Sequence, residues 1–106
     1  MLDETILSVV KAYLDNLADN GVRVDFVVLY GSQAKGLAND DSDIDLLVVS
    51  PQFDKSVPRQ LINILWRTAA RTDSRIEPVA CGTRQWQEDD GLPFIEMIRR
   101  EGIKIA

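Results

Sequence analysis

Asp43 and Asp45 stand two residues apart at the head of the apolar run Ile44 to Val49. On a strand, residues at i and i+2 point to the same face, ~6.6 Å apart along the backbone. Two carboxylates so placed can lean on one divalent cation or bracket a close pair of them. Mg²⁺ suits such a site because it prefers hard oxygen ligands and is held by a few carboxylates together with substrate phosphates. Two such ions ~3.5–4 Å apart polarise both the attacking and the leaving oxygens of a phosphoryl or nucleotidyl transfer. A third carboxylate on a neighbouring strand would complete the set, and Glu77, within R-I-E-P-V, is the candidate. The bland reading is a solvated D-x-D in a chain with 17 acidic residues.

A second feature lies just upstream. Gly31 and Ser32 follow the run F-V-V-L-Y directly, and a glycine at a strand end lets backbone approach a ligand closely. Ser32 offers a hydroxyl, and the segment from Ser32 to Gly36 can form a short turn whose N–H groups face an anion. Lys35 would help to neutralise a triphosphate, or it is a solvated surface lysine. Taken alone, Gly-Ser also reads as a plain β-turn.

Composition narrows the chemistry. The chain has no histidine and one cysteine, Cys81, which removes Ser-His-Asp and Cys-His catalysis, the commonest zinc sites and an internal disulfide. A net charge of −5 argues against nucleic acid as a partner, since binding it needs Lys and Arg to neutralise phosphates. No apolar run approaches ~20 residues and M-L-D-E-T lacks a basic leader. The expectation is therefore a cytoplasmic protein without a membrane association. At 106 residues the chain is expected to form one domain, residues 1–106, with a single core.

The elements that must position these residues are readable in order. Thr5 to Asn20 is an amphipathic helix with Ile6, Val9, Val10, Tyr13, Leu14 and Leu17 inward, begun by Asp3 and Glu4 and stopped by Gly21. Val22 to Tyr30 is a first strand, apolar on both faces and so central. Ile44 to Val49 is the second, followed by a loop from Ser50 to Val57. A helix with Pro58 in its first turn runs to about Arg71, facing Leu61, Ile62, Leu65, Trp66 and Ala69 inward. Arg75 to Cys81 is a third strand, which Pro78 makes an edge or leaves with one free side there. Thr83 to Gln87 is a short helical turn, the stretch around Asp89 and Asp90 is solvated loop, and Pro93 to Glu101 is a helix ended by Gly102. Ile103 to Ala106 is a possible last strand. Trp66 and Trp86 read as core residues; Arg67, Arg71 and Arg75 could form a basic stripe, but the reading preferred is that Arg71 and Arg75 lie across a helix end; Arg99-Arg100 read as complements to a helix dipole. The order α-β-β-α-β-α, with an optional final β, predicts an α+β fold: a small mixed sheet of three or four strands flanked by helices.

Gly31-Ser32, ten residues, then Asp43-Ile44-Asp45 resembles the G-S-x10-D-x-D signature of the nucleotidyltransferase superfamily that includes DNA polymerase β. The short length and the form G-S-Q-A-K-G…S-D-I-D-L are most similar to the minimal nucleotidyltransferases, often MntA-type antitoxins partnered by a HEPN-domain toxin in type VII-like pairs. The resemblance implies a nucleotidyltransferase fold and Mg²⁺-dependent transfer of AMP from ATP to a hydroxyl at a two-metal site. It assigns the phosphates to Gly31, Ser32 and Lys35 and the metals to Asp43, Asp45 and Glu77, the same three being the catalytic residues. Glu77 is one methylene longer than the Asp often found there and is followed by proline; position 35 is frequently Arg, whose planar fork Lys lacks. The chain is little more than a catalytic core, so a partner must bring the acceptor. For the MntA-type family that is a tyrosine of the toxin, protein AMPylation being the neutralising reaction. Two alternatives stand beside it. One is a non-catalytic, nucleotide-binding antitoxin that sequesters its partner; the other is an enzyme acting on a small alcohol such as an aminoglycoside, which would need a pocket shared across a homo-oligomer.

Overall fold

The computed structural model describes residues 3–88 and 92–105. The first helix, α1 (Glu4–Asp19), is capped by the Asp3 carboxylate, which accepts from the Thr5 N–H at 2.7 Å and satisfies one of the orphan donors of the first turn. Next come β1 (Phe26–Tyr30), a four-residue α2 (Ser32–Lys35), β2 (Ile44–Ser50) and a 3₁₀ turn at Pro51–Phe53. Then follow α3 (Arg59–Thr72), β3 (Ile76–Gly82), α4 (Thr83–Gln87), α5 (Pro93–Glu101) and β4 (Ile103–Ile105). The final strand expected from the sequence is therefore present. The residues around Asp89 and Asp90, read above as solvated loop, and Ala106 lie outside the described residues.

The four strands form one mixed sheet in the order β3-β2-β1-β4, with β1 antiparallel to β2 and β4, and β2 parallel to β3. This is the α+β architecture the sequence predicts. β1 and β2 are central, as their two-sided apolar runs require, and β3 is an edge. Pro78 lies on that edge strand, where a missing N–H costs no second ladder.

Alternation along the strands divides the core in two. Val27, Leu29, Ile44, Leu46, Val48 and Ile76 point to one face, where α1 and α3 supply Ile6, Val10, Tyr13, Leu17, Leu65 and Ala69. Val28, Tyr30, Leu47, Val49 and Cys81 point to the other, under Ile95 and Ile98 of α5 and Trp86 of α4. The first face is sealed by two long helices; the second has one helix of nine residues and one of five.

Several expectations need correction. β1 begins at Phe26 and not Val22, because the preceding segment is tied down by side chains: the Arg23 N–H donates to Gln52 Oε1 and the Arg23 carbonyl accepts from Ser50 Oγ. Pro58 immediately precedes α3. Ile62 and Trp66 do not face inward; Trp66 is 49% exposed, and Thr68 takes a buried position instead. The buried stripe of α3 follows Leu65, Thr68 and Ala69, which puts 62 and 66 on its outer flank. Trp86 does pack, edge-on against Phe26. Arg99 does more than complement a dipole, since its guanidinium lies over the Trp86 ring and donates to the carbonyls of Trp86 and Glu88, locking α5 to α4.

One buried polar bond joins the two large helices: Tyr13 Oη donates to the Leu65 carbonyl at 2.9 Å. Tyr13→Phe removes a donor from a fully buried site and is expected to lower unfolding free energy by about 1 kcal/mol, measured by urea titration, without changing the fold seen by circular dichroism.

Candidate active site

The motif residues gather at one end of the sheet, on the face carrying α4 and α5. β1 delivers Tyr30 opposite Asp45, and β3 delivers Glu77 opposite Asp45 on its other side. Cross-strand partners share a face, so Tyr30, Asp45 and Glu77 form a row across three strands. Asp43 precedes β2 with the same parity as Asp45.

Gly31 fits this place for two reasons. Its φ is +73°, where side chains with a Cβ are strained. A Cβ built there would also stand 2.5 Å from Asp45 Oδ2. The backbone turns over the carboxylate with only a hydrogen's clearance. Ser32 then opens α2, whose Ala34 and Lys35 N–H groups both bond back to the Gly31 carbonyl; Gly36, with φ +71°, ends it in the left-handed conformation. Lys35 is exposed, and its ammonium pairs with Glu101 at 3.6 Å.

The loop returning to Asp43 is organised by its own polar side chains. The Asn39 N–H donates to Ser42 Oγ, the Asp41 N–H to Asn39 Oδ1, and the Ser42 N–H to the Asn39 carbonyl. Arg75 fastens this loop to the start of β3. It donates to both carboxylate oxygens of Asp73 and to the Asp40 carbonyl, while its own carbonyl accepts from the Ile44 N–H. These bonds to Arg75 hold the Asp73 carboxyl below its usual range. Asn39, Ser42, Asp73 and Arg75 were not singled out for this role from the sequence, and Tyr30 was read only as a strand residue. Position was the available signal: Tyr30 adjoins Gly31, and Arg75 is two residues from Glu77.

Electrostatically the site is unbalanced. Burial and the Asp43 charge raise the Asp45 carboxyl above its ordinary range, against a hydrogen bond from Glu77 that lowers it. Glu77 is raised too, first by Asp43, then by desolvation, by Asp45 and by the bond to Asp45. Burial and the charges of Asp45 and Glu77 push the Tyr30 phenol up to about 12. No ion pair among the described residues involves Asp43, Asp45 or Glu77.

Such a cluster fits a divalent cation, which would supply the missing positive charge; Asp43, Asp45 and Glu77 are the residues that could hold it. Among the described residues no three acidic side chains already surround a common point at ligand geometry, so closing on an ion requires side-chain rotation. Asp43 and Glu77 are exposed and free to make it. An apolar cleft of about 390 Å³ lies at the opposite end of β1, lined by residues such as Leu14, Val22 and Phe26, and contains none of the motif residues. A smaller one, about 170 Å³, borders the motif loop between Gln33, Asn39, Asp40 and Arg75.

A sheet that ends in a glycine turn and a D-x-D pair is the arrangement of a nucleotidyltransferase. Residues 10–98 match the family model described as "Nucleotidyltransferase domain", and the chain belongs to that family, whose members use a nucleoside triphosphate and a divalent metal. The fold is also that of a chain in a crystal structure of a toxin–antitoxin with AMP-PNP, at TM-score 0.64 and 18% identity, over 91% of this chain and 71% of that one. No curated protein matched significantly.

Gly31→Ala combines a strained φ with a clash on Asp45 and is expected to cost about 1–3 kcal/mol of stability, read by thermal and urea unfolding. Unchanged stability would contradict the close approach of Gly31 to Asp45.

The raised carboxyls give a pH signature. Folded-state values above the unfolded ones favour the folded chain at low pH, an advantage lost as pH rises from about 4 through the raised values. Asp43→Asn relieves Asp45 and Glu77 of that repulsion. Without metal, the variant should exceed the parent in stability at pH 7 by no more than about 1 kcal/mol, given the exposure of these groups, and match it near pH 4. A gap that does not change with pH would exclude carboxylate repulsion as its cause.

Proposed function

We propose that the chain transfers AMP from ATP to a hydroxyl, most aptly a tyrosine, of a partner protein, and that it acts as the antitoxin of a HEPN-domain toxin. The observation that carries the reaction is the row of Asp45 and Glu77 beside Gly31, with Asp43 at its edge. The partner rests on the similarity to a toxin–antitoxin chain crystallised with AMP-PNP and on the form of the motif.

In this reading Gly31, Ser32 and the α2 turn receive the β- and γ-phosphates, with Lys35 released from Glu101 to approach them. Asp43, Asp45 and Glu77 hold Mg²⁺, which when bound neutralises the phosphates and lowers the barrier to attack at phosphorus. The acceptor oxygen forms a bond to the α-phosphorus as the bond from that phosphorus to the bridging oxygen breaks, and pyrophosphate leaves. Glu77 takes the acceptor proton on its carboxylate, a role that its exposed position at the sheet edge favours. The chain's contribution is positioning and electrostatics. Tyr30, its phenol held neutral by burial and by the nearby Asp45 and Glu77 charges, stands opposite Asp45 on β1.

The Lys35–Glu101 pair favours one rival: a module that binds a nucleotide but sequesters its partner without chemistry. Labelled ATP and Mg²⁺, incubated with the chain and the protein encoded beside it, should label that partner. Asp43→Asn with Asp45→Asn should reduce labelling and neutralisation by at least about two orders of magnitude. Intact neutralisation by the double variant would establish sequestration instead, and an unlabelled partner with nucleotide still bound would reject transfer to that protein.

A further inference from the structure

The outer side of α3 takes no part in the transfer chemistry, yet its composition sets it apart. The helix carries Arg59, Arg67 and Arg71 and no Asp or Glu, in a chain of net charge −5. All three arginines are exposed, and none joins an ion pair among the described residues. Between the first two stand Ile62, 39% exposed, and Trp66, 49% exposed. Arg59, Ile62, Trp66 and Ala70 follow one another at helical spacing and so form a single seam, bordered by Arg67.

The seam has a definite place in the fold. α3 packs on β3 and beside α1. α1 takes one flank: Tyr13 Oη donates to the Leu65 carbonyl, Asn16 Nδ2 donates to Thr72 Oγ1, and Arg71 lines a cleft with Asn16, Asp19 and Asn20. Ile62 is about two and a half helical turns from Arg71, so Ile62 and Trp66 occupy the opposite flank, beyond the open side of β3. The C-terminal end of α3 runs through Asp73 and Arg75 into β3 just before Glu77, which brings the seam to the motif end of the sheet.

We propose that the seam Arg59–Ile62–Trp66–Ala70 is the docking surface for an amphipathic helix of the partner protein, one whose apolar stripe is flanked by Asp or Glu. The proposal rests on the reading above, in which the acceptor belongs to a partner protein, and adds the surface that grips it. Apolar residues at helical spacing present the ridge that a second helix packs against. Arg59 and Arg67, unpaired in this chain, would meet the partner's carboxylates and fix its register. Trp and Arg are also the side chains that most often carry interface energy. A second copy of this chain fits poorly, because a two-fold contact sets one patch against itself, arginines facing arginines with no acid on either helix. RNA fits poorly too, since the centre of the seam is apolar and the chain as a whole is acidic. From α3 the partner reaches Glu77 around the edge of β3, which no strand covers among the described residues.

The test titrates the whole chain with the purified protein encoded beside it, by calorimetry without ATP, and follows AMP transfer in a separate assay. Trp66→Ala, and Arg59→Glu combined with Arg67→Glu, should each raise Kd by about 10- to 100-fold, while Trp66→Phe and Arg67→Lys should stay within about threefold. The melting temperature and the ATP affinity of the chain alone should not move, which separates docking from folding and from nucleotide binding. Added salt should weaken the parent complex more than that of the arginine variants. Variants that bind the neighbour as the parent does would overturn the proposal, even where AMP transfer proceeds. Docking that depends on Trp66 with no label on the partner would support the seam and overturn transfer, and a neighbour that does not bind at all would overturn both. Two further probes address other occupants. A dimer of the chain alone that Trp66→Ala disperses in sedimentation, or a poly(U) oligonucleotide that loses affinity in the arginine variants, would give the seam to a second copy or to RNA and overturn the proposal.

Discussion

Three carboxylates are held close at the end of β2, and among the described residues no cationic side chain is paired with them. Two unit charges ~5 Å apart repel by about 1 kcal/mol in bulk water and about 3 kcal/mol at an effective dielectric of 20. A folded chain accepts that only where other interactions fix the geometry. Here the fixing is done by backbone: Asp45 and Glu77 are locked opposite each other by the parallel ladder of β2 and β3, and Gly31 folds over Asp45 with no room for a side chain. Burial first and the Asp43 charge second raise the proton affinity of Asp45, and for Glu77 the Asp43 charge comes first and desolvation second. A proton or a metal ion relieves the repulsion, and a site that is strained when empty binds a cation more readily than one already balanced.

The two faces of the sheet divide the labour that this conflict demands. α1 and α3 bury the larger apolar cluster against one face, far from the charges, and supply cohesion that does not depend on the site. The other face carries shorter helices and a smaller cluster, which leaves the carboxylate row accessible from solvent. Edge placement of β3 serves the same end. Among the described residues its outer side has no neighbouring strand, so Glu77 can be approached laterally, and Pro78 protects that open edge from pairing with another chain.

What could be read from the sequence was whatever is local. The i, i+2 spacing of Asp43 and Asp45 sets their common face without reference to the rest of the chain, and two-sided apolar runs mark β1 and β2 as central wherever they pair. Pro78 limits β3 to an edge or to one free side by chemistry alone. What escaped depended on contacts remote in sequence. On α3, Leu65 and Ala69 face inward as the sequence suggests, but Ile62 and Trp66, which suit a helical apolar face equally well, do not; only the angle at which α3 meets α1 and β3 decides between them. The start of β1 was read too early because Val22 and Val24 have strand character, while Gln52 and Ser50, nearly thirty residues away, hold that segment by side chain. Arg75 does lie across the end of α3 from Arg71, as its spacing suggests, but its bonds to Asp73 and the Asp40 carbonyl depend on a loop more than thirty residues away.

Glu77 is the residue whose placement is least local, and it shows how a distant carboxylate is made dependable. A shift of one residue in the pairing of β3 would turn Glu77 to the opposite face, into the cluster formed by α1 and α3. Three features oppose that shift. Ile76 and Pro78 flank Glu77 and are both buried, so the alternative register would expose both and bury a carboxylate without a partner, at a cost of several kcal/mol. The Arg75 carbonyl is held by the Ile44 N–H at 2.8 Å, pinning the first rung of the ladder beside the D-x-D pair. The Arg75 guanidinium grips Asp73 behind it and the motif loop in front. The longer glutamate side chain and the following proline therefore do not loosen the position. Pro78 tightens it, because a buried proline on an edge strand has one register in which its missing donor goes unnoticed.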